Sequence, residues 1–401
     1  MLNKKWPLLL LAFLDYMGMV MVAAILPTIL FDSTMLPPAW GEKARITLLG
    51  FYLALFPLGQ FFGSAKLGRL SDTYGRRPIL LATTLLTAIA FFISALSLLF
   101  SSVILLFTGR LLAGVFAANI AVAQAALSDM SSVSDKMRNM TSIQTAIGLG
   151  FIIGPGVGSA SAKISFLGGP SYATPFYLTA LFFGIAFLSI YFFFPETARP
   201  PTNAIKKESL FTELIEPYTN PLLRMPFIIW SAYACGWTLC GTFLPAYLTE
   251  NFKTIDVGIF LTIMGFTYTF SQFFVVRKVA SLVTAKAMVK IPLFVMALSY
   301  TALPFAKTSV GLHIGTSLNV IALSFVMPGL ITAISNFESN ENQGKIMGSI
   351  SSIRALASIV VTIAGAYLAR ISLAAPLFGG GILLLISWIL FVTKFPDPKK
   401  T

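Results

Sequence analysis

Apolar residues along this chain come in runs of about 20, each long enough to cross a hydrocarbon layer of about 30 Å as a helix. The runs recur from Trp6 almost to the C-terminus. They predict twelve spans: Trp6 to Leu30, Arg45 to Ala65, Pro78 to Leu98, Ser102 to Ala126, Ser142 to Ala162, Thr174 to Phe194, Pro226 to Leu248, Ile255 to Val276, Ala287 to Ala306, Leu312 to Ile334, Met347 to Ala369 and Ala374 to Thr393. Most connections are short and leave little room for an extramembrane domain. The exception is the polar, charge-rich stretch Pro195 to Met225 at the middle of the chain. Within it Phe211, Leu214, Ile215 and Tyr218 fall at i, i+3, i+4 and i+7, which predicts a short amphipathic linker helix on the membrane surface.

The central position of that stretch raises the question of a repeat. Sliding Ser128 to Ala160 onto Ser335 to Tyr367, an offset of 207, gives eight identities in 33 positions, among them Met140/Met347, Ser142/Ser349 and Gly158/Gly365. At an offset of 201, Pro175 matches Pro376 and Phe194-Pro195-Glu196 matches Phe395-Pro396-Asp397. The predicted fold is therefore an all-α integral membrane protein, twelve transmembrane helices in two six-helix pseudo-symmetric halves. Residues 1–194 form the first half, 195–225 a cytoplasmic linker and 226–401 the second half, an arrangement suited to alternating access.

Composition agrees. The chain of 401 residues is 56% hydrophobic and 11% charged, with a mean hydropathy of +0.83, where a soluble domain carries about 25% charged residues. The net charge of +13 does not indicate a nucleic-acid partner, because the basic residues stand in ones to threes between apolar runs and build no basic face. With the N-terminus in the cytoplasm, 20 of the 28 Lys and Arg fall in cytoplasmic segments, 6 in outer segments and 2 inside spans. That asymmetry sets both termini inside. Lys4 and Lys5 before an apolar run imitate a signal peptide, but the run continues to Leu30 and contains Asp15, which fits an uncleaved first span. Cys235 and Cys240 share one apolar run and imply no disulfide framework.

An ionisable group inside a span costs several kcal/mol, by roughly any scale, unless it is paired or wet. Sorting charges by depth leaves Asp15, Arg110 and Arg354. At 1.5 Å per residue, Asp15 lies ~13 Å and Arg354 ~14 Å from the inner face, and Arg110 ~12 Å from the outer one. These depths permit contact between Asp15 and Arg110. One reading is a neutralised pair that merely joins two helices; the other is a proton site whose carboxyl is switched by what enters the cavity. Arg110 and Arg354 suit an anionic substrate, whereas Asp15 suits a cationic one. No enzyme constellation is present. The single histidine, His313, lies near an outer span end, and no metal-ligand cluster, nucleotide-binding glycine loop or triad occurs, so neither a cofactor nor ATP-driven pumping is expected.

Between the second and third spans the chain reads Gly68-Arg69-Leu70-Ser71-Asp72-Thr73-Tyr74-Gly75-Arg76-Arg77-Pro78. This resembles the major facilitator superfamily signature G-x-x-x-D-R-x-G-R-R, with Thr73 where an Arg is usual. The resemblance implies that Gly68, Asp72, Gly75, Arg76 and Arg77 are conformational parts, with Asp72 facing the N-terminal end of the eleventh helix. Topology anchoring by Arg76 and Arg77 is compatible with that role. Arg110-Leu-Leu-Ala-Gly114 is similar to a fourth-span R-x-x-x-G motif whose Arg is associated with proton coupling, although Ala113 replaces the Gln common there. Gly150-Phe-Ile-Ile-Gly154-Pro155-Gly-Val-Gly158 resembles the fifth-span motif of antiporters; glycines four apart also let helices touch, and Pro155 removes a hydrogen bond.

The first span, Leu14-Asp15-Tyr-Met-Gly18 to Leu26-Pro27, looks like the twelve-span drug:proton antiporter branch, which includes tetracycline exporters. Those exporters carry carboxylates in the third and ninth spans; here those spans hold none, which argues against a tetracycline–metal substrate. The second-half counterpart of the Asp72 loop, Arg277 to Lys286, is degenerate. Spans one, four, seven and ten line the pathway in this superfamily, which makes Met19, Gln124, Tyr233, Trp237 and Asn319 cavity candidates beside Arg354, although packing explains any one of them as well.

The expectation is a secondary active transporter for proton-coupled efflux of small amphipathic organic compounds, with Asp15 and Arg110 in proton coupling. It is expected to be monomeric, in the bacterial inner membrane. The alternatives are an importer of a metabolite or siderophore, and a channel or receptor without coupling.

Overall fold

The structure is a computed structural model describing all residues except 1–3, 33–40, 118, 132–135, 167–169, 198–209, 253–254, 281, 338–342 and 397–401. Much of the central linker, including residues 205–209, thus lies outside the described residues. The described residues form helices and no strand. They divide into two compact units, Met1–Ile205 with Asp256–Ile263, and Lys206–Ile255 with Met264–Thr401. Twelve helical stretches are long and apolar enough to cross a membrane.

The first unit contains α1 (Trp6–Asp32), α2 (Glu42–Tyr74), α3 (Arg76–Leu99), α4 (Val103–Val115), α5 (Asn119–Asp129), α6 (Lys136–Ser161) and α7 (Thr174–Phe193). Only Gly75 separates α2 from α3, and its φ of +106° is one that a side chain would strain. A Cβ there would also strike the Glu196 carboxylate. That carboxylate caps α3 from 120 residues away: the amides of Arg76 and Arg77 donate to it at 2.9 and 3.1 Å, and its own segment adds Thr197 N–H at 2.8 Å. These are amides that a helix start leaves without partners. Glu196→Ala is expected to cost the unit about 1 kcal/mol, as cap removals do, read as a lower thermal midpoint of the purified protein.

Close helix approach in this unit is set by small residues. A Cβ at Gly150, Gly154 or Gly158 on α6 would collide with the Phe13, Met17 or Met21 backbone of α1, so a glycine every fourth residue meets a carbonyl every fourth residue. Likewise Gly59 and Gly63 of α2 sit on the Leu111 and Val115 carbonyls of α4, while Gly114 of α4 sits on the Phe56 carbonyl.

The second unit contains α8 (Leu210–Thr219), α9 (Pro221–Asn251), most of α10 (Val257–Phe270), α11 (Arg277–Ala280), α12 (Ala285–Ala302), α13 (Ser309–Ser335), α14 (Gln343–Ala369) and α15 (Ala375–Lys394). The expected linker helix is α8; it rests on α9 and α14, with the Tyr218 and Ser231 hydroxyls 2.5 Å apart. Gly236 of α9 and Gly380 of α15 lie against one another, and Trp230 Nε1 donates to Ile350 O at 3.1 Å to fasten α9 to α14.

Two spans depart from the sequence expectation. The fourth is not one helix: it stops at Val115 and restarts at Asn119. The eighth passes through a π-helical stretch, Ser271–Val276, before α11. There the wider turn brings Ser271 Oγ to 2.7 Å from Ser324 Oγ of α13.

Candidate functional site

Asp15 stands nine residues into α1, half-buried, on the helix held by the α6 glycines. It has no ion pair among the described residues. Its neighbour is Asn119, the first residue of α5 and thus the restart of the broken span. Asn119 is completely buried, and neither its Oδ1 nor its Nδ2 has a hydrogen-bond partner. Buried amide atoms are nearly always bonded, so a pair of orphans requires an explanation.

Arg110 does not reach the carboxyl. Only 8% exposed, it lies within an aromatic cage, its guanidinium carbon 4.7 Å from the Phe56 ring centre and 5.4 Å from that of Tyr52. Cation–π attraction offsets part of the desolvation of the charge. Its Nε and Nη1, and the fully buried Tyr52 hydroxyl, have no hydrogen-bond partner. The first unit therefore holds a seam of polar groups across α1, α2, α4 and α5, in a segment whose surroundings are apolar. Met19 and Gln124 are half-buried on α1 and α5.

The loop motif forms a separate cluster. Arg76 pairs with Asp72 at 2.5 Å and Asp129 at 3.0 Å and donates to Ser71 Oγ at 2.7 Å, tying α2, α3 and α5 together. Arg77 Nη2 donates to Tyr191 O at 2.7 Å. Around Gly68 there is open space, so its smallness is not required by packing inside this unit.

At the opposite end of α6, Asp256 accepts hydrogen bonds from Ser159 Oγ at 2.7 Å, Lys163 Nζ at 3.1 Å and the Ile259 amide at 3.1 Å. Asp256 lies just before the span Val257–Ala280. Burial pushes its carboxyl up, but these three bonds and the Lys163 charge outweigh burial and hold it below the usual carboxylate range. Gly258 and Gly156 bring the first turns of α10 onto α6, against Pro155 O and Thr262 respectively. The fifth-span motif therefore has two packing faces, α1 on one side and the start of α10 on the other.

In the second unit Tyr233 is 2% exposed with an unpartnered hydroxyl, next to Tyr268 and within the field of Arg354. Arg354 itself is exposed midway along α14. Trp237 is half-buried, its ring 6.5 Å from that of Tyr300, whose hydroxyl is likewise unpartnered. Asn319 points elsewhere: its Nδ2 donates to Ser299 Oγ at 3.1 Å and Met296 O at 3.4 Å, fastening α13 to α12.

Sorting residues by charge passed over Asn119, Tyr52, Phe56 and Tyr300. An asparagine five residues after Gly114 in an apolar run was the one readable signal; the others depend on cross-helix contacts.

Comparison with known proteins supplies the rest. The family model of the Major Facilitator Superfamily matches residues 8–253 and again 227–401. The class H tetracycline resistance protein of Pasteurella multocida is 26% identical over 418 residues, covering 98% of this chain and 96% of its own. The class G protein of Vibrio anguillarum is 30% identical over 365 residues, covering 88% and 86%. Among solved structures, a D-xylose–proton symporter superimposes with a TM-score of 0.78 at 16% identity, covering 99% of this chain and 98% of its own.

Proposed function

The chain belongs to the major facilitator superfamily as a multi-pass membrane transporter, and from that premise we propose that it exports small amphipathic organic compounds in exchange for protons, with Asp15 as the proton carrier. The supporting observation is a mid-span carboxyl without a counter-charge, set among unpartnered polar groups. A carrier driven by protons needs a group inside the membrane that changes charge during the cycle. Arginine stays protonated throughout, and tyrosines such as Tyr52 and Tyr233 titrate well above neutrality in water. Asp15 is the carboxyl that remains.

In this reading a protonated, neutral Asp15 and a cargo-bound, ionised Asp15 are alternative loads of one cavity, so the cargo moves outward only when a proton moves inward. Arg110 holds positive charge nearby and, with Arg354, admits cargo with acceptor groups. The Arg76 cluster sets which access state is favoured. The compound class is small, organic and amphipathic. The relatives are named for tetracycline resistance, but the third and ninth spans, α3 and α12, carry no carboxylate here. Tetracycline is therefore one member of a test panel, not the assigned cargo. The protein is proposed to act as a monomer in a bacterial inner membrane with both termini cytoplasmic, a placement the lysine and arginine bias supports.

The test uses everted vesicles containing the full chain, an imposed pH gradient, and a panel of ethidium, Hoechst 33342 and tetracycline. Gradient-dependent accumulation of at least one, abolished by nigericin, is expected. Accumulation driven only in right-side-out vesicles would instead establish uptake.

A further inference from the structure

The orphaned amide of Asn119 is the observation that the proposed function does not absorb. It is fully buried, opens the second half of a span broken at Val115, and faces the only carboxyl found midway along a span among the described residues. Neither Oδ1 nor Nδ2 of Asn119 has a partner at normal hydrogen-bond geometry, and the polar group its side chain interacts with is the Asp15 carboxyl. An amide presents an acceptor and a donor side by side without itself titrating.

We propose that Asn119 is a positioning residue for the proton on Asp15. When the carboxyl carries the proton, its O–H donates to Asn119 Oδ1. When the proton has left, Asn119 Nδ2–H donates to the carboxylate. Turning the amide between these two arrangements moves no net charge and needs no other partner. α4 ends at Val115, Phe116 and Ala117 are in a turn, and Asn119 is the first residue of α5. This inference rests on Asp15 being the proton carrier, as proposed above.

The electrostatic surroundings leave the role open to Asn119. The helices packed on α1 are α6, α7, α5 and α2. Their mid-span titratable group is Tyr52 on α2, which engages Arg110 of α4, and no cation lies within ion-pair distance of Asp15 among the described residues. Tyr16, adjacent on α1, has its own interaction.

The test is infrared difference titration of the detergent-solubilised full chain, which needs no cargo. A carboxylic C=O band that titrates in the wild type and is missing in Asp15→Asn identifies the group. In Asn119→Leu, which fills the same space without hydrogen bonding, the band frequency is expected to change and the titration midpoint to move by at least about half a pH unit. Asn119→Ser, which keeps a hydroxyl donor and acceptor, is expected to restore part of both. The thermal midpoint of Asn119→Leu is expected to equal or exceed the wild type's, because an unpartnered buried amide is replaced by an apolar group. A frequency and midpoint unchanged in Asn119→Leu would overturn the inference, and so would a lowered thermal midpoint with an unchanged titration, which marks a structural residue. Absence of any band lost in Asp15→Asn would instead defeat the assignment of Asp15 itself.

Discussion

Replacing Asp15 with asparagine is expected to reduce gradient-driven export to the background of empty vesicles while leaving the protein folded and present in the membrane. The substitution keeps the shape of the side chain and removes only its ability to change charge. The close approach of α1 to α6 rests on the Phe13, Met17 and Met21 backbone against glycines, which the substitution leaves in place. No other described residue is placed to take over. The remaining carboxylates at span ends are engaged or peripheral: Asp72 and Asp129 are paired with Arg76, and Asp256 is bonded to Ser159 and Lys163. His313 lies in the second turn of α13. Because the neutral amide of the Asp15→Asn variant mimics the permanently protonated state, in which the proton takes the place of cargo, exchange of labelled for unlabelled cargo across the vesicle should be lost as well. Loss of gradient-driven movement together with loss of exchange, in a folded protein, is the expected pair of results. Export that still follows the pH gradient in Asp15→Asn vesicles would end the proposed mechanism.

The second large effect concerns stability. Gly63→Ala places a methyl on the Val115 carbonyl, a backbone atom that cannot rotate away, at the point where α4 ends. Overpacking of this kind costs about 1–3 kcal/mol, and separating α2 from α4 also pulls Tyr52 and Phe56 from around Arg110. The variant is expected to show a clearly lower thermal midpoint and reduced abundance. Gly184→Ala on α7 is the matched control, because a Cβ there meets nothing within 4 Å. Its midpoint should hold or rise slightly, as alanine favours a helix over glycine by roughly 1 kcal/mol. Equal losses in both variants would show that the α2–α4 crossing is not the cause.

The spans were legible because a membrane-crossing helix must be long and apolar whatever it packs against. The glycine motif in α6 was legible as a close-contact stripe, but its partner was not: nothing in the spelling of Gly150, Gly154 and Gly158 names Phe13, Met17 and Met21. The break in the fourth span escaped because it contains no proline. A run such as Gly114-Val115-Phe116-Ala117 satisfies every length and hydropathy criterion for a continuous helix. Asn319 and Tyr300 illustrate the same limit from the other side. One fits a cavity position by sequence and has its Nδ2 spent on Ser299, its Oδ1 unmatched, while the other carries no sequence signal and leaves its hydroxyl unmatched. Which of two polar residues on adjoining helices is satisfied depends on register between helices, and register is not written in either helix alone.

The seating of α1 on α6 also limits how the carboxyl gets to see either side of the membrane. Two rods that mesh at three successive notches can neither roll nor slide past one another without lifting apart. Asp15 is in effect bolted to a beam, and whatever admits water to it from one face and then the other must be a shutter that travels while the beam stays put.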